Sequence, residues 1–219
     1  MKYDLIIFDL DGTILNTLDD LAFACNAALI EAGFPARSRE EIRRFIGNGV
    51  ARLIRRAVPE DTGDDVCERV VARFKAIYLD HVNDHTLPYP GIPELLKELK
   101  QKGVRIAVNS NKVDAATQLL IAHHYGGLFD YVLGERPDIP KKPAPDGAQK
   151  IMAALNVSPE RVLYVGDGDA DIHTAQNANI DGAWVSWGYR RREELKGLKI
   201  DRAFDTVEAL RTFVVGNGE

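Results

Sequence analysis

Three carboxylates stand at alternate positions in the stretch YVGDGDADI: Asp167, Asp169 and Asp171. Near the N-terminus, Asp9 and Asp11 share that two-residue spacing in FDLDGT, just ahead of Gly12. In an extended chain the side-chain period is two, so Asp9 and Asp11 point the same way, and the glycine permits a sharp turn directly after them. Two acids so placed repel each other unless a cation or a shared proton relieves them. A calcium loop also begins with alternating acids, but it needs a glycine at its sixth position and a bidentate glutamate at its twelfth. Those positions hold Ile172 and Ala178, which excludes it. What remains is a helix N-terminus, where acids are favoured, or one part of a magnesium site assembled from distant segments.

Other groups favour the assembled site. Ser110 and Asn111 in VNSNK stand where an apolar run gives way to a helical pattern, and the free backbone N–H groups of a helix start suit a phosphate. Lys142 lies in the proline-stiffened loop IPKKPAPD. Magnesium takes hard oxygen ligands and bridges one or two carboxylates to a substrate phosphate, which assigns Asp9 and Asp167 as ligands. A carboxylate not fully neutralised by the metal can attack phosphorus and form an aspartyl-phosphate, with Lys142 and Ser110 balancing the charge. A second carboxylate can protonate the leaving oxygen and later activate water.

These residues need a scaffold that brings their segments together. Short apolar runs recur as YDLIIFDL, VRIAVNS, FDYVLGE, RVLYVGD and GAWVSW, and each reads as a buried strand. Helical patterns such as GIPELLKELKQKG, KVDAATQLLIAHH and PDGAQKIMAALN alternate with them, which predicts an α/β fold with a doubly wound parallel sheet. Ligands of such sheets bind beyond the carboxyl ends of the strands, where Asp9, Asp11, Ser110, Lys142 and Asp167 all fall. From Thr17 to about Asp84 the pattern is helical with no convincing strand, and LPYPG marks the return. The expected division is a core of residues 1–16 and 85–219, interrupted by an all-helical module, residues 17–84.

A chain of 219 residues buries a substantial core. A formal charge of −5 offers no general attraction to nucleic acid or to an anionic membrane. The basic runs RRFIGNGVARLIRR and YRRREELK read as solvated helix faces. Cys25 and Cys67 lack metal-ligand spacing and read as buried free thiols. The LIIF run is too short for a signal peptide and no apolar segment is long enough to span a bilayer, so a cytoplasmic protein is expected.

With these residues in view, DLDGT, Ser110-Asn111-Lys112, Lys142-Pro143 and GDGDADI resemble, in order, the four motifs of the haloacid dehalogenase superfamily, specifically its phosphatases with a helical cap inserted after the first strand. The resemblance covers nearly the whole chain and implies a Rossmann-like core carrying an inserted cap. It implies that Asp9 is the nucleophile and a magnesium ligand, and that Asp11 is the general acid and base whose carbonyl also binds the metal. It implies phosphoryl contacts from Ser110, Asn111 and Lys142, a direct metal bond from Asp167, and a role for Asp171 in holding or orienting the metal's waters. Gly168 departs from the serine common after the third acid.

GNGVARLI, LPYPGIPELLKELKQKG and WGYRRREEL are similar to segments of the phosphoglycolate phosphatases. That similarity implies 2-phosphoglycolate as substrate and Asn48 and Gly49 as cap contacts to its organic part. Pyrophosphate and sugar phosphates are alternatives, as is a phosphomutase of the β-phosphoglucomutase type. A noncatalytic module phosphorylated at its strand-end aspartate is the rival of a different class. Asp169 reads as an exposed helix-start residue, and Trp184 and Trp187 as core packing.

Overall fold

The computed structural model describes residues 1–47 and 49–216. The chain divides into two compact units, one formed by Met1–Leu15 with Pro88–Glu219 and the other by Asn16–Leu87. In chain order the elements are β1 (Leu5–Phe8), β2 (Leu15–Asn16), α1 (Leu18–Glu31), α2 (Arg39–Phe45), α3 (Val50–Ala57), α4 (Asp64–Asp80) and β3 (Leu87–Pro88). There follow α5 (Ile92–Gln101), β4 (Arg105–Val113), α6 (Asp114–Tyr125), β5 (Tyr131–Glu135), α7 (Asp146–Leu155), β6 (Val162–Gly166), α8 (Asp169–Asn177), β7 (Asp181–Val185), β8 (Ala203–Phe204) and α9 (Val207–Val215).

The larger unit is an α/β fold around a six-stranded parallel sheet of order β5-β4-β1-β6-β7-β8. Its central strands are apolar along their whole length because both faces are covered: every residue of LIIF in β1 and of VLYVG in β6 is buried. The chain builds outward from β1 through β4 to β5, then returns to β6 and builds the other way. Right-handed crossovers therefore put helices on both faces and leave a switch point at β1 and β6. The register pairs Phe8 with Val108 on one side and with Val165 on the other. The residues just past these positions thus leave the sheet together at its carboxyl edge.

Five expected strands appear, with two differences. β8 is a two-residue edge strand in a polar segment, too short to leave a period. β4 runs on to Val113, with a register shift against β5 between Asn109 and Val113, and α6 begins only at Asp114. Ser110 and Asn111 are therefore in extended chain and not at a helix N-terminus, so the helix-start argument for a phosphate site at these two residues is overturned. The apolar pattern of VRIAVNSNKV continues through polar residues because Asn109, Ser110, Asn111 and Lys112 are all buried.

In the smaller unit four helices follow one another, α1 packing on α2 and α4, and α3 on α2 and α4. Ala24, Cys25, Leu29, Ile42, Ile54, Val70 and Phe74 form its buried side. Ser38 starts α2 through a reciprocal cap, its Oγ accepting from the Glu41 N–H at 3.2 Å while Glu41 Oε2 accepts from the Ser38 N–H at 2.8 Å. Asp20, 1 % exposed, accepts from the His85 N–H at 2.9 Å and the Thr86 hydroxyl at 2.7 Å, which ties the first turn of α1 to the unit's return segment. Among the described residues, no helix is long and apolar enough to cross a membrane.

Candidate active site

Asp9 follows β1 directly, its N–H donating to the Val165 carbonyl at 2.9 Å, so it stays in register with β6 although the strand has ended. The turn after it is closed by the Gly12 N–H donating to the Leu15 carbonyl at 2.9 Å, with Gly12 at φ 83°, a left-handed value that glycine adopts at little cost. A side chain at Gly12 would also meet Asp167 Oδ2 at 2.5 Å. Asp167 comes off the end of β6, and Asp171 lies in the first turn of α8, its Oδ2 accepting from the Gly168 N–H at 3.0 Å. One carboxylate oxygen from each of Asp9, Asp167 and Asp171 lies within 4.8 Å of the others, and all three residues are buried. Lys142, from the loop between β5 and α7, places its Nζ 2.8 Å from Asp9 Oδ1 and 2.6 Å from Asp171 Oδ1.

So many acids in a dry corner are costly to ionise together. Burial, then the charge of Asp171, push the Asp9 carboxyl up to about 8, although Lys142 pulls the other way. Burial and the same neighbour push Asp167 up to about 7, against the Tyr189 N–H and Arg190. Burial would lower Lys142, but the Asp171 and Asp9 carboxylates outweigh it and hold the ammonium well above its ordinary value. Asp9 Oδ1 is fully enclosed and, for all its closeness to Lys142, has no partner with hydrogen-bond geometry. An enclosed oxygen of this kind, beside two more carboxylates, fits a small hard divalent cation such as Mg²⁺.

A second group surrounds this cluster. Asn111 bridges both backbone groups of Lys142, its Oδ1 accepting from the N–H at 2.9 Å and its Nδ2 donating to the carbonyl at 3.1 Å. Its side chain thus fixes the lysine loop, leaving only its main chain for a phosphate. Ser110 is buried, and its Oγ accepts from the Lys112 N–H at 3.2 Å. Gly49 lies in the other unit, at the start of α3 with φ 84°, and Asn48 lies outside the described residues.

Sequence reasoning passed over Lys112. Its Nζ lies 2.9 Å from Asp11 Oδ1, with 4 % of the side chain exposed. The signal was available, since Lys112 stands two residues from Ser110 in an extended run and so shares its face. Arg190 corrects the reading of YRRREELK as a solvated helix face. It is buried, and its charge reaches both Asp167 and Asp169, with Nε 3.5 Å from Asp169 Oδ1. Asp169 itself opens α8 and is half-buried. Trp184 is core, as expected, packed with Ile172 and Leu195. Trp187 is only half-buried and donates from Nε1 to the Thr13 carbonyl at 3.0 Å. Cys25 and Cys67 are buried free thiols, and burial pushes the Cys25 thiol up to about 12.

Comparison with known proteins agrees with this architecture. The model of the haloacid dehalogenase-like hydrolases matches residues 6–185. A phosphoglycolate phosphatase of Aquifex aeolicus is 33 % identical over 212 residues, covering 96 % of this chain and 98 % of the relative. One from Pseudomonas putida is 31 % identical over 212 residues, covering 94 % and 78 %. A crystal structure from Lactobacillus delbrueckii subsp. bulgaricus, provisionally named phosphoglycolate phosphatase, superposes with a TM-score of 0.93 at 36 % identity over 99 % of this chain and 100 % of that one.

Proposed function

This chain belongs to the haloacid dehalogenase-like hydrolase family, and we propose that it is a magnesium-dependent phosphomonoester hydrolase that works through an aspartyl-phosphate at Asp9, with 2-phosphoglycolate as its substrate. The phosphatase activity itself is supported by relatives of that name spanning nearly the whole chain. The observation that carries the mechanism is the buried cluster of Asp9, Asp167 and Asp171 with Lys142 set between Asp9 and Asp171.

Asp9 and Asp167 would supply the carboxylate oxygens for Mg²⁺, and the Asp11 carbonyl would be the third protein ligand. The ion's contribution is to neutralise the acids and the charge of the incoming phosphate. Asp9 Oδ attacks phosphorus as the bond to the leaving oxygen breaks, and Asp11 gives that oxygen its proton. Lys142 and Ser110 balance charge on the transferring group, and the backbone at Asn111 contributes an N–H. Asp11, now a base, takes a proton from the water that attacks phosphorus and frees Asp9. Asp171 holds Lys142 in place through its Oδ1 and, in this reading, also orients the metal's waters. Attack needs Asp9 unprotonated, and a divalent cation held by Asp9 and Asp167 would favour that form, since ligating carboxylates must be ionised.

Gly49 is carried in this proposal as a contact to the organic part of the substrate. Phosphate release from a panel of 2-phosphoglycolate, pyrophosphate and sugar phosphates, with Mg²⁺ or with chelator, tests the reading. A marked preference for 2-phosphoglycolate that chelator abolishes is the expected result. Preference for another phosphomonoester would reassign the substrate, and release undiminished by chelator would overturn the metal's role.

A further inference from the structure

The segment after β7 takes no part in the chemistry above, yet it touches the scaffold of that chemistry on two loops at once. The Tyr189 N–H donates to Asp167 Oδ2 at 2.5 Å. The Trp187 indole N–H donates to the Thr13 carbonyl at 3.0 Å, in the turn that follows Asp9 and Asp11. Between them Gly188 presses against both: a Cβ there would collide with the Asp167 side chain and with the Gly12 carbonyl. Gly188 has no left-handed φ, so its missing side chain serves close approach and not backbone conformation. Trp184, at the end of β7, donates its own indole N–H to the Asp167 carbonyl at 2.8 Å, so Asp167 is held by backbone as well as side chain.

We propose that Trp187-Gly188-Tyr189 is a positioning strap that fixes the Asp167 carboxylate against the Asp9–Thr13 turn and thereby sets the metal affinity of the site. The inference rests on the proposed role of Asp167 as a metal ligand. Asp9 and Asp167 leave different strands, and the sheet register fixes their backbones but not the rotation of the Asp167 carboxylate. Mg²⁺ demands near-ideal octahedral geometry, so that rotation matters. The Tyr189 N–H engages Oδ2, which would leave Oδ1 available to a cation, while Gly12 and Gly188 both approach the carboxylate at Oδ2 so closely that a Cβ on either would collide with it. The Trp187 bond ties the strap to the turn carrying Asp9, which couples the two ligand loops through a third. Hydrogen-bond partners behind a metal ligand commonly tune affinity in this way.

The test is Mn²⁺ titration of the metal-stripped protein, followed by the electron paramagnetic resonance of free Mn²⁺, on wild type, Trp187→Phe, Gly188→Ala and Asp167→Asn. Trp187→Phe keeps an aromatic ring but removes the N–H, and it decides the matter if Gly188→Ala does not fold. The expected result is a dissociation constant raised by about 10–100-fold in the strap variants. The metal-free melting temperature of Trp187→Phe stays at the wild-type value, and excess metal restores its kcat with an unchanged KM. Wild-type affinity in the strap variants, with binding lost in Asp167→Asn, would overturn the strap and leave the metal site standing. A loss of affinity that only tracks a fall in metal-free melting temperature would also overturn it. Absence of Mn²⁺ binding by the wild type, or unimpaired binding by Asp167→Asn, would instead overturn the metal reading on which the strap rests.

Discussion

At the scale of single residues, Asp11 is the group whose setting most constrains the mechanism. Its carboxylate is met by Lys112, which is nearly enclosed. In the proposed mechanism Asp11 transfers the proton, a role that requires its oxygen to be held where the leaving oxygen would sit, and Lys112 Nζ, 2.9 Å away, would supply that anchor. Asp11→Asn is expected to lower kcat by about 10²–10⁴-fold, the usual worth of a positioned acid and base. Lys112→Met should fall toward the lower end of that range with a smaller change in KM, as steady-state kinetics would show, and an unchanged kcat would contradict the anchoring role. Asp9, Asp11 and Asp167 stood out in the sequence because they lie at or just past the ends of apolar runs, and Lys142 because prolines stiffen its loop; the structure brings Lys142 between Asp9 and Asp171. Lys112 was passed over although its two-residue spacing from Ser110 put it on the same face, and Arg190 was not read, since an arginine in a basic run defaults to solvent and only tertiary packing encloses it.

At the scale of elements, the site depends on how β4 passes into α6. Thr117 Oγ1 donates to the carbonyls of Lys112 at 3.2 Å and Val113 at 3.1 Å, pinning the helix to the end of its strand. Gly134 of β5 lies against this junction, where a Cβ would meet Thr117 Oγ1 at 2.7 Å and the Lys112 carbonyl at 2.8 Å. Gly134→Ala is therefore expected to destabilise the fold by about 1–3 kcal/mol, the usual cost of overpacking, measured as a lower urea midpoint. A midpoint equal to wild type would show that the junction yields freely. The strands were legible because a two-sided buried sheet writes itself as unbroken apolar runs. The continuation of β4 to Val113 was not, because its last residues are polar and are buried by tertiary contacts, Asn111 against the Lys142 loop and Lys112 against Asp11. The two-residue β8 was equally silent, its pairing made by β7 and not by any pattern of its own.

For the whole molecule, the acid cluster makes stability depend on pH and on metal together. Burial, and after it the charge of Asp171, push Asp9 up to about 8 and Asp167 up to about 7, from 3.8 for an ordinary aspartate. Between those limits the metal-free native chain binds more protons than the unfolded chain. The stability contribution is thus fully present below the ordinary value and is lost as pH rises through about 7 and 8. The melting temperature of chelator-treated protein should fall across that window, Mg²⁺ should recover the loss, and a flat profile would contradict the burial of these acids. Three of the four motif segments, DLDGT, Ser110-Asn111-Lys112 and GDGDADI, lie at a strand's carboxyl end, and the loop after β5 brings Lys142-Pro143 to the same edge. The central claim is covalent chemistry at Asp9, and the most direct test is acid quenching of Asp11→Asn during turnover of 2-phosphoglycolate, followed by mass spectrometry of the peptide containing Asp9. A hydroxylamine-labile phosphoryl group on Asp9, absent from Asp9→Asn, is the predicted result; substrate turned over with Asp9 never modified would contradict the account.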